Sequence, residues 1–208
     1  RRLVSPFETA SVARCPISFR RVWSRGVGHL LFISLPCISY VFLLLSSRME
    51  FTRIKYSVDH RICTLILSRP EKHNALDDRM ISELSAAFSA AQKDADVKVV
   101  ILRGEGESFC SGADLAYLQQ ISQYDFQQNQ LDSNNLMKLF LQIYTLRKPV
   151  ISLVQGAALA GGCGLATVSD IIIASRETAK FGYTEVKIGF IPAIVMVFLV
   201  RRVGEGRA

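Results

Sequence analysis

The chain predicts an α/β fold with a parallel sheet, and three observations carry that prediction. Short apolar runs of strand length alternate with longer stretches whose apolar residues recur at helical spacing. Two of the runs, residues 97–102 and 149–154, are apolar almost throughout, the pattern of strands covered on both faces by helices. Small-residue turns containing glycine join strand to helix at 109–115 and 156–164.

The elements follow in order. Residues 51–58 alternate apolar and polar side chains and predict a strand. Residues 62–68 predict its hairpin partner, with Asp59-His60-Arg61 as the turn. Arg69-Pro70 breaks the pattern. Asp77 or Asp78 supplies a helix N-cap, and Met80, Ile81, Leu84, Ala87, Phe88 and Ala91 form one apolar face of a helix reaching about residue 93. Residues 97–102 predict a strand buried on both faces, and Gly104-Glu105-Gly106 the loop after it. Helices are expected at 115–121 and 126–146, a second buried strand at 149–154, a short helix at 161–168 and a strand at 170–174. Residues 190–200 are strongly apolar and predict a buried helix or a long core segment. The pattern does not close by Ala208, so the core is expected to be truncated at its C-terminal end.

Charge divides the chain differently. The 208 residues carry a net charge of +7, but residues 1–48 hold seven arginines and one acid, so nearly all of the excess lies there. Residues 49–208 are close to neutral, which removes the charge argument for a nucleic-acid partner. The leader also contains an apolar run at 27–45, near membrane-spanning length and preceded by arginines. Two readings stand for 1–48: an upstream-translation artefact, since Met49 is the first methionine, or a membrane anchor or signal segment. A membrane partner is expected only if 27–45 is genuine. Residues 49–208 form the folded body. The five cysteines make no Cys-x-x-Cys pair and no cluster with the three histidines, so no metal site is expected. Their scatter through apolar positions points to reduced thiols and a cytoplasmic location.

The two glycine turns carry the chemistry. Phe109-Cys110-Ser111-Gly112-Ala113-Asp114-Leu115 and Gly156-Ala157-Ala158-Leu159-Ala160-Gly161-Gly162-Cys163 each leave backbone N–H groups near a helix start, where negative charge is stabilised. Further landmarks are Leu67-Ser68-Arg69-Pro70-Glu71-Lys72-His73-Asn74-Ala75-Leu76, Ser169-Asp170-Ile171-Ile172-Ile173-Ala174, and Phe181-Gly182-Tyr183-Thr184-Glu185 with Gly189-Phe190-Ile191-Pro192. In this order the segments resemble the crotonase family, the enoyl-CoA hydratase/isomerase superfamily, over essentially all of the body. The resemblance implies a crotonase-like spiral of ββα units, acyl-CoA thioester substrates, no cofactor beyond the coenzyme A of the substrate, and a homotrimer or dimer of trimers for the full-length family member.

By position the resemblance makes the N–H groups of Ala113 and Gly161 an oxyanion hole. Two fixed donors in a dry site stabilise the charge that a thioester carbonyl gains as its enolate forms. Glu185 matches a catalytic glutamate, a general acid/base at the α- and β-carbons. Lys72 and His73 fall where coenzyme A phosphates or pantetheine pass, and Ala75, Asp114, Leu115, Gly162 and Gly164 complete the expected substrate-binding set. Asp114 also has the place of a helix cap. Cys110 and Cys163 flank the turns, but no histidine or asparagine base accompanies them, so neither is expected to act as a nucleophile.

One position departs from the family pattern. The second glutamate of the two-glutamate hydratases falls at Gly164, leaving Glu185 as the one carboxylate. The same segment, with Ile191-Pro192-Ala193, resembles bacterial methylglutaconyl-CoA-type hydratases, where a carboxylate on the substrate could help position water. The expected activity is hydration of an α,β-unsaturated acyl-CoA. The alternatives are a Δ3,Δ2-enoyl-CoA isomerase working with one base, and a non-catalytic acyl-CoA-binding protein. The run Ala193-Ile194-Val195-Met196 stands where the family has glycines, and is expected to reshape the acyl pocket.

Overall fold

The computed structural model describes residues 50–208. The leader, its apolar run and the boundary placed after residue 48 lie outside the described residues. The hairpin is present: β1 (Ile54–Asp59) and β2 (Ile62–Leu67) pair antiparallel, Ile54 opposite Leu67. His60 and Arg61 turn the chain with positive φ. Next comes α1 (Asp78–Lys93), whose N-cap Asp77 accepts the Met80 N–H at 2.8 Å. Its apolar stripe is buried as the spacing predicts. Glu83 is buried with it, because its carboxylate accepts the N–H groups of Thr52 and Arg53 and so ties α1 to the strand before it.

β3 (Val99–Gly104) then runs parallel to β2, with Leu65 opposite Leu102. It is followed by α2 (Leu115–Ile121) and α3 (Phe126–Tyr144). The N-terminus of α3 is a capping box, Asp125 with Gln128. β4 (Val150–Val154) joins the far edge of β3, and β6 (Ile171–Ala174) joins β4, both parallel. The sheet order is β1-β2-β3-β4-β6. A second, two-stranded parallel sheet holds β5 (Ala157–Leu159) and β7 (Lys180–Gly182). Between β5 and β6 lies α4 (Gly161–Val168), and after β7 come a 3-10 turn at Glu185–Ile188 and α5 (Ala193–Val203). Strand, strand and helix therefore recur. The hairpin β1-β2 with β3, β4 and β6 builds the large sheet, while Cys110 bridges to β5 and β5 pairs with β7 in a second layer.

One core fills the space between the large sheet and α1, α3 and α4. Phe88, Phe109, Phe140, Leu65, Leu84, Leu102 and Leu165 are fully enclosed in it. Each such side chain stabilises the fold by roughly 1.5–3 kcal/mol relative to leaving it in water.

Three expectations change. β3 and β4 alternate buried and partly exposed positions rather than being sealed on both faces, and Arg103 reaches solvent. The apolar run after Phe190 is not wholly interior: Phe190, Ile191 and Val197 are exposed, and only Val195 and Phe198 of α5 are buried. The two three-residue strands β5 and β7 lie in segments to which the sequence pattern assigns no strand, because three residues carry too little periodicity to signal one. Exposed apolar side chains also run along β6 (Ile171, Ile172, Ile173) and onto Phe181 and Val186. Among the described residues no helix is long and apolar enough to cross a membrane.

Candidate active site

The two glycine turns lie against each other. Phe109 and Cys110 both donate to the Ala157 carbonyl, and Leu159 donates back to the Cys110 carbonyl at 2.9 Å. The first turn is thereby pinned to β5, the strand that feeds the second. Gly112 sits at the contact with φ +91°. A Cβ there would lie 2.7 Å from the Ala160 Cβ and 3.3 Å from the Gly161 nitrogen, so only glycine permits this approach.

Ala113 is presented by a short bridge to Leu76. Leu76 N–H donates to the Gly112 carbonyl at 2.7 Å, and Asp114 N–H donates to the Leu76 carbonyl at 2.9 Å. In extended chain the N–H between two such bonds points the other way. The Ala113 N–H accordingly has no acceptor among the described residues. Gly161 opens α4, where the helix supplies no acceptor for its N–H, and it finds none elsewhere among the described residues. The residue before it, Ala160, is held at φ 50°, ψ −125°, a conformation costly for a residue with a Cβ. The bond from Ala160 N–H to the Gly182 carbonyl at 2.7 Å holds it there. This strain aims the first turn of α4.

Glu185 begins the 3-10 turn that follows β7. It is half-buried, and its Oε2 is enclosed without a partner among the described residues. A buried carboxylate oxygen without a donor costs about 1–3 kcal/mol or more, a cost a substrate proton or a water would remove. Beside it lie Cys163 and Tyr183. Burial pushes the Cys163 thiol up, and the Glu185 charge adds to this, so the thiol is held protonated. Burial likewise pushes the Cys110 thiol up to about 12. Both sulfurs are held as thiols rather than thiolates.

The remaining expected substrate residues divide. Lys72 and His73 are exposed on the loop after Pro70, with the His73 ring 3.2 Å from the Ser108 hydroxyl. Leu115 is exposed at the start of α2. Ala75 is buried, and its carbonyl accepts from the Arg69 guanidinium at 2.8 Å. The Asp114 carboxylate is turned inward: it caps α2 through the Ala116 N–H and pairs with Arg69 at 2.9 Å. The Asp114 side chain is thus occupied inside the protein. Gly162 is buried, and a Cβ on it would meet the Cys110 carbonyl oxygen at 2.2 Å. Gly164 does not face open space either: a Cβ there would meet Val195 Cγ1 at 2.6 Å and the Phe140 ring at 3.0 Å. Gly162 and Gly164 are therefore close-packing positions in this structure.

Arg69 is the residue that sequence reasoning missed. It is buried, and its guanidinium bridges Asp77, the cap of α1, at 3.0 Å and Asp114, the cap of α2, at 2.9 Å. Burial alone would raise the Asp114 carboxyl, but the hydrogen bonds from Arg69 and Ala116 N–H and the guanidinium charge outweigh it and hold the group below the usual carboxylate range. Asn74, also buried, takes the left-handed conformation and ties this loop down, accepting from Arg69 N–H and donating to the carbonyls of Glu105 and Ser108. The one signal in the sequence was a charged residue between an apolar strand and a proline.

The fold thus packs together the two turns that carry the Ala113 and Gly161 N–H groups, and Glu185 follows β7, the strand paired with β5, which feeds the second turn. Residues 57–208 match the enoyl-CoA hydratase/isomerase family, and the chain belongs to it. A Thermus thermophilus protein carrying an enoyl-CoA hydratase name is 42% identical over 147 residues, 71% of this chain and 58% of that one. A short-chain-enoyl-CoA hydratase of Clostridium acetobutylicum is 34% identical over 162 residues, 77% of this chain and 60% of that one. The crystal structure of an enoyl-CoA hydratase from Shewanella pealeana superimposes with a TM-score of 0.74 at 35% identity, covering 76% of this chain and 60% of that one. The chain spans between 52% and 60% of the length of the first curated relatives it matches.

Proposed function

We propose that the protein adds water to an α,β-unsaturated acyl-CoA thioester. The observation that supports this reading best is the pair of unpartnered N–H groups, Ala113 and Gly161, on turns packed against each other. The thioester oxygen accepts from both N–H groups, and the α4 dipole adds to their field. Glu185 takes a proton from water as the water oxygen attacks the β-carbon, and returns that proton to the α-carbon of the resulting enolate. Lys72, a point charge suited to phosphate, and His73 meet the coenzyme A phosphates or the pantetheine. No cofactor is required beyond the coenzyme A carried by the substrate.

Gly164 favours a second reading. With Phe140 and Val195 against it, no second carboxylate holds the attacking water, which suits a Δ3,Δ2-enoyl-CoA isomerase that shuttles one proton through Glu185. A substrate with its own carboxylate, of the methylglutaconyl-CoA type, would restore a second acidic group to a hydratase. We further propose that the exposed apolar residues of β6 and of Phe181 and Val186 are covered in a homotrimer or dimer of trimers, and that the protein works in the cytoplasm with its thiols reduced. Product analysis with crotonyl-CoA, 3-methylglutaconyl-CoA and a 3-enoyl-CoA tests the reading. A β-hydroxyacyl product supports the hydratase, and the preferred thioester names the substrate class. A migrated double bond alone supports the isomerase, and binding without turnover overturns both in favour of a non-catalytic acyl-CoA-binding protein.

A further inference from the structure

Gly161 and Glu185 arrive at the site on different elements, and their separation has to be held. The strands that feed them, β5 and β7, pair in register as far as Leu159 and Gly182, and the Ala160 N–H bond to Gly182 closes that ladder. Beyond it the two chains part. Among the described residues, no backbone hydrogen bond joins residues 183–185 to α4. The link is the Tyr183 side chain, whose hydroxyl lies 2.7 Å from the Thr167 hydroxyl.

The direction of that bond follows from proton counting. Thr167 donates its one proton to the Cys163 carbonyl at 2.9 Å, a turn back along α4. It must therefore accept from Tyr183. The Cys163 thiol lies beside the phenol. Burial first, and then the neighbouring Cys163 and Glu185 groups, push the Tyr183 hydroxyl well above its ordinary range, so it stays a donor at any working pH. The result is a chain of two hydrogen bonds, from Tyr183 through Thr167 to the Cys163 carbonyl, two residues upstream of Glu185.

We propose that Tyr183 is a positioning residue that fixes the Glu185 carboxylate relative to the Gly161 N–H, by strapping the segment before Glu185 to Cys163 and Thr167 of α4. The inference rests on Glu185 as acid/base and Gly161 as oxyanion donor. Tyr183→Phe removes the hydroxyl and keeps the ring, so packing is retained. A carboxylate freed to drift by about 1 Å loses roughly 10- to 100-fold in rate. Steady-state kinetics on the full chain with crotonyl-CoA, 3-methylglutaconyl-CoA and a 3-enoyl-CoA as probes compare wild type, Y183F, T167S, T167V, Y183F/T167V and E185Q.

The expected pattern is a kcat about 10-fold or more below wild type for Y183F, with KM within about twofold. T167S, which keeps the hydroxyl, stays near wild type, T167V matches Y183F, and the double variant is no worse than either single one. A Y183F that equals wild type while E185Q is inactive overturns the inference and leaves the site reading intact. So does a Y183F whose loss tracks its folded fraction, or a double variant whose losses multiply. Turnover unchanged in E185Q, or no turnover by wild type with any probe, overturns the site reading itself and the inference with it.

Discussion

Replacing Gly164 tests how this site manages with one carboxylate. An added Cβ would stand 2.6 Å from Val195 Cγ1 and 3.0 Å from two atoms of the Phe140 ring. Real carbon contacts lie at 3.5–4.0 Å, so α5 or Phe140 must move by most of an ångström. Overpacking of that size costs about 1–3 kcal/mol, while replacing a helical glycine by alanine returns about 1 kcal/mol. Gly164→Ala is therefore expected to be neutral to about 2 kcal/mol destabilised. Gly164→Glu adds a buried carboxylate among Phe140, Val195 and Leu165, and should lose at least about 3 kcal/mol, or some 6–12 °C in Tm for a body of this size. It should not produce a two-carboxylate hydratase. Trimming the neighbour relieves the contact: in a Val195→Ala background the Gly164→Ala penalty should fall by about 0.5–3 kcal/mol, the coupling expected of touching groups. Urea or thermal denaturation of the four members of that cycle reads it. A Gly164→Ala that is stabilising by itself, or a strictly additive cycle, would refute the reasoning.

Other consequences can be checked in the same way. Gly112→Ala meets both a positive φ of 91° and a 2.7 Å contact with Ala160, so it should destabilise by about 2–4 kcal/mol and abolish turnover, as read by thermal melting beside an activity assay. Asp114 and Glu83 are held below the usual carboxylate range in the folded chain; burial opposes this, but hydrogen bonds outweigh it. Their stabilisation is thus complete above the unfolded values near 4, and is lost as pH falls further, which acid titration of stability will show. Arg69→Met leaves Asp114 unpaired, costing about 3–5 kcal/mol at pH 7, and the gap from wild type should narrow below about pH 4 as that carboxylate takes up a proton. Burial pushes the Cys63 thiol up to about 11 and the Cys110 thiol up to about 12, so thiol-specific reagents at pH 8 should leave both unmodified until the chain unfolds; prompt labelling of either, located by peptide mass, would contradict the structure.

The fold was readable from the sequence where periodicity and punctuation agree. Helices starting at Asp78, Leu115, Phe126 and Gly161 begin where the caps and small residues put them, because a cap is a local hydrogen bond that the next three residues suffice to form. The exposure of residues 190–200 was not readable, since an apolar run carries no record of whether a neighbour covers it. The glycine turns were visible as a pattern, but their contact was not: that Gly112 touches Ala160 depends on β5 pairing with Cys110, an interaction spanning some fifty residues. Arg69 was invisible for the same reason, as its partners Asp77 and Asp114 become neighbours only after two turns of the spiral close.

Gly164 and Val195 make sense only together. A carboxylate at position 164 requires space beside α4, and a glycine-rich start to α5 would supply it. Here the side chain is missing from 164, and Val195 and Phe140 occupy the volume, so the loss of a carboxylate and the gain of bulk are two halves of one packing solution. A dry, apolar wall then stands where a second acid could have held water. Glu185 is left with one enclosed oxygen that has no partner among the described residues. On the proposed reading of an acyl-CoA site, the group that the thioester places opposite that wall would decide whether a water is held for addition or a proton returns to a different carbon. If that reading holds, the choice between hydration and isomerisation rests more with the shape of the acyl group than with Glu185.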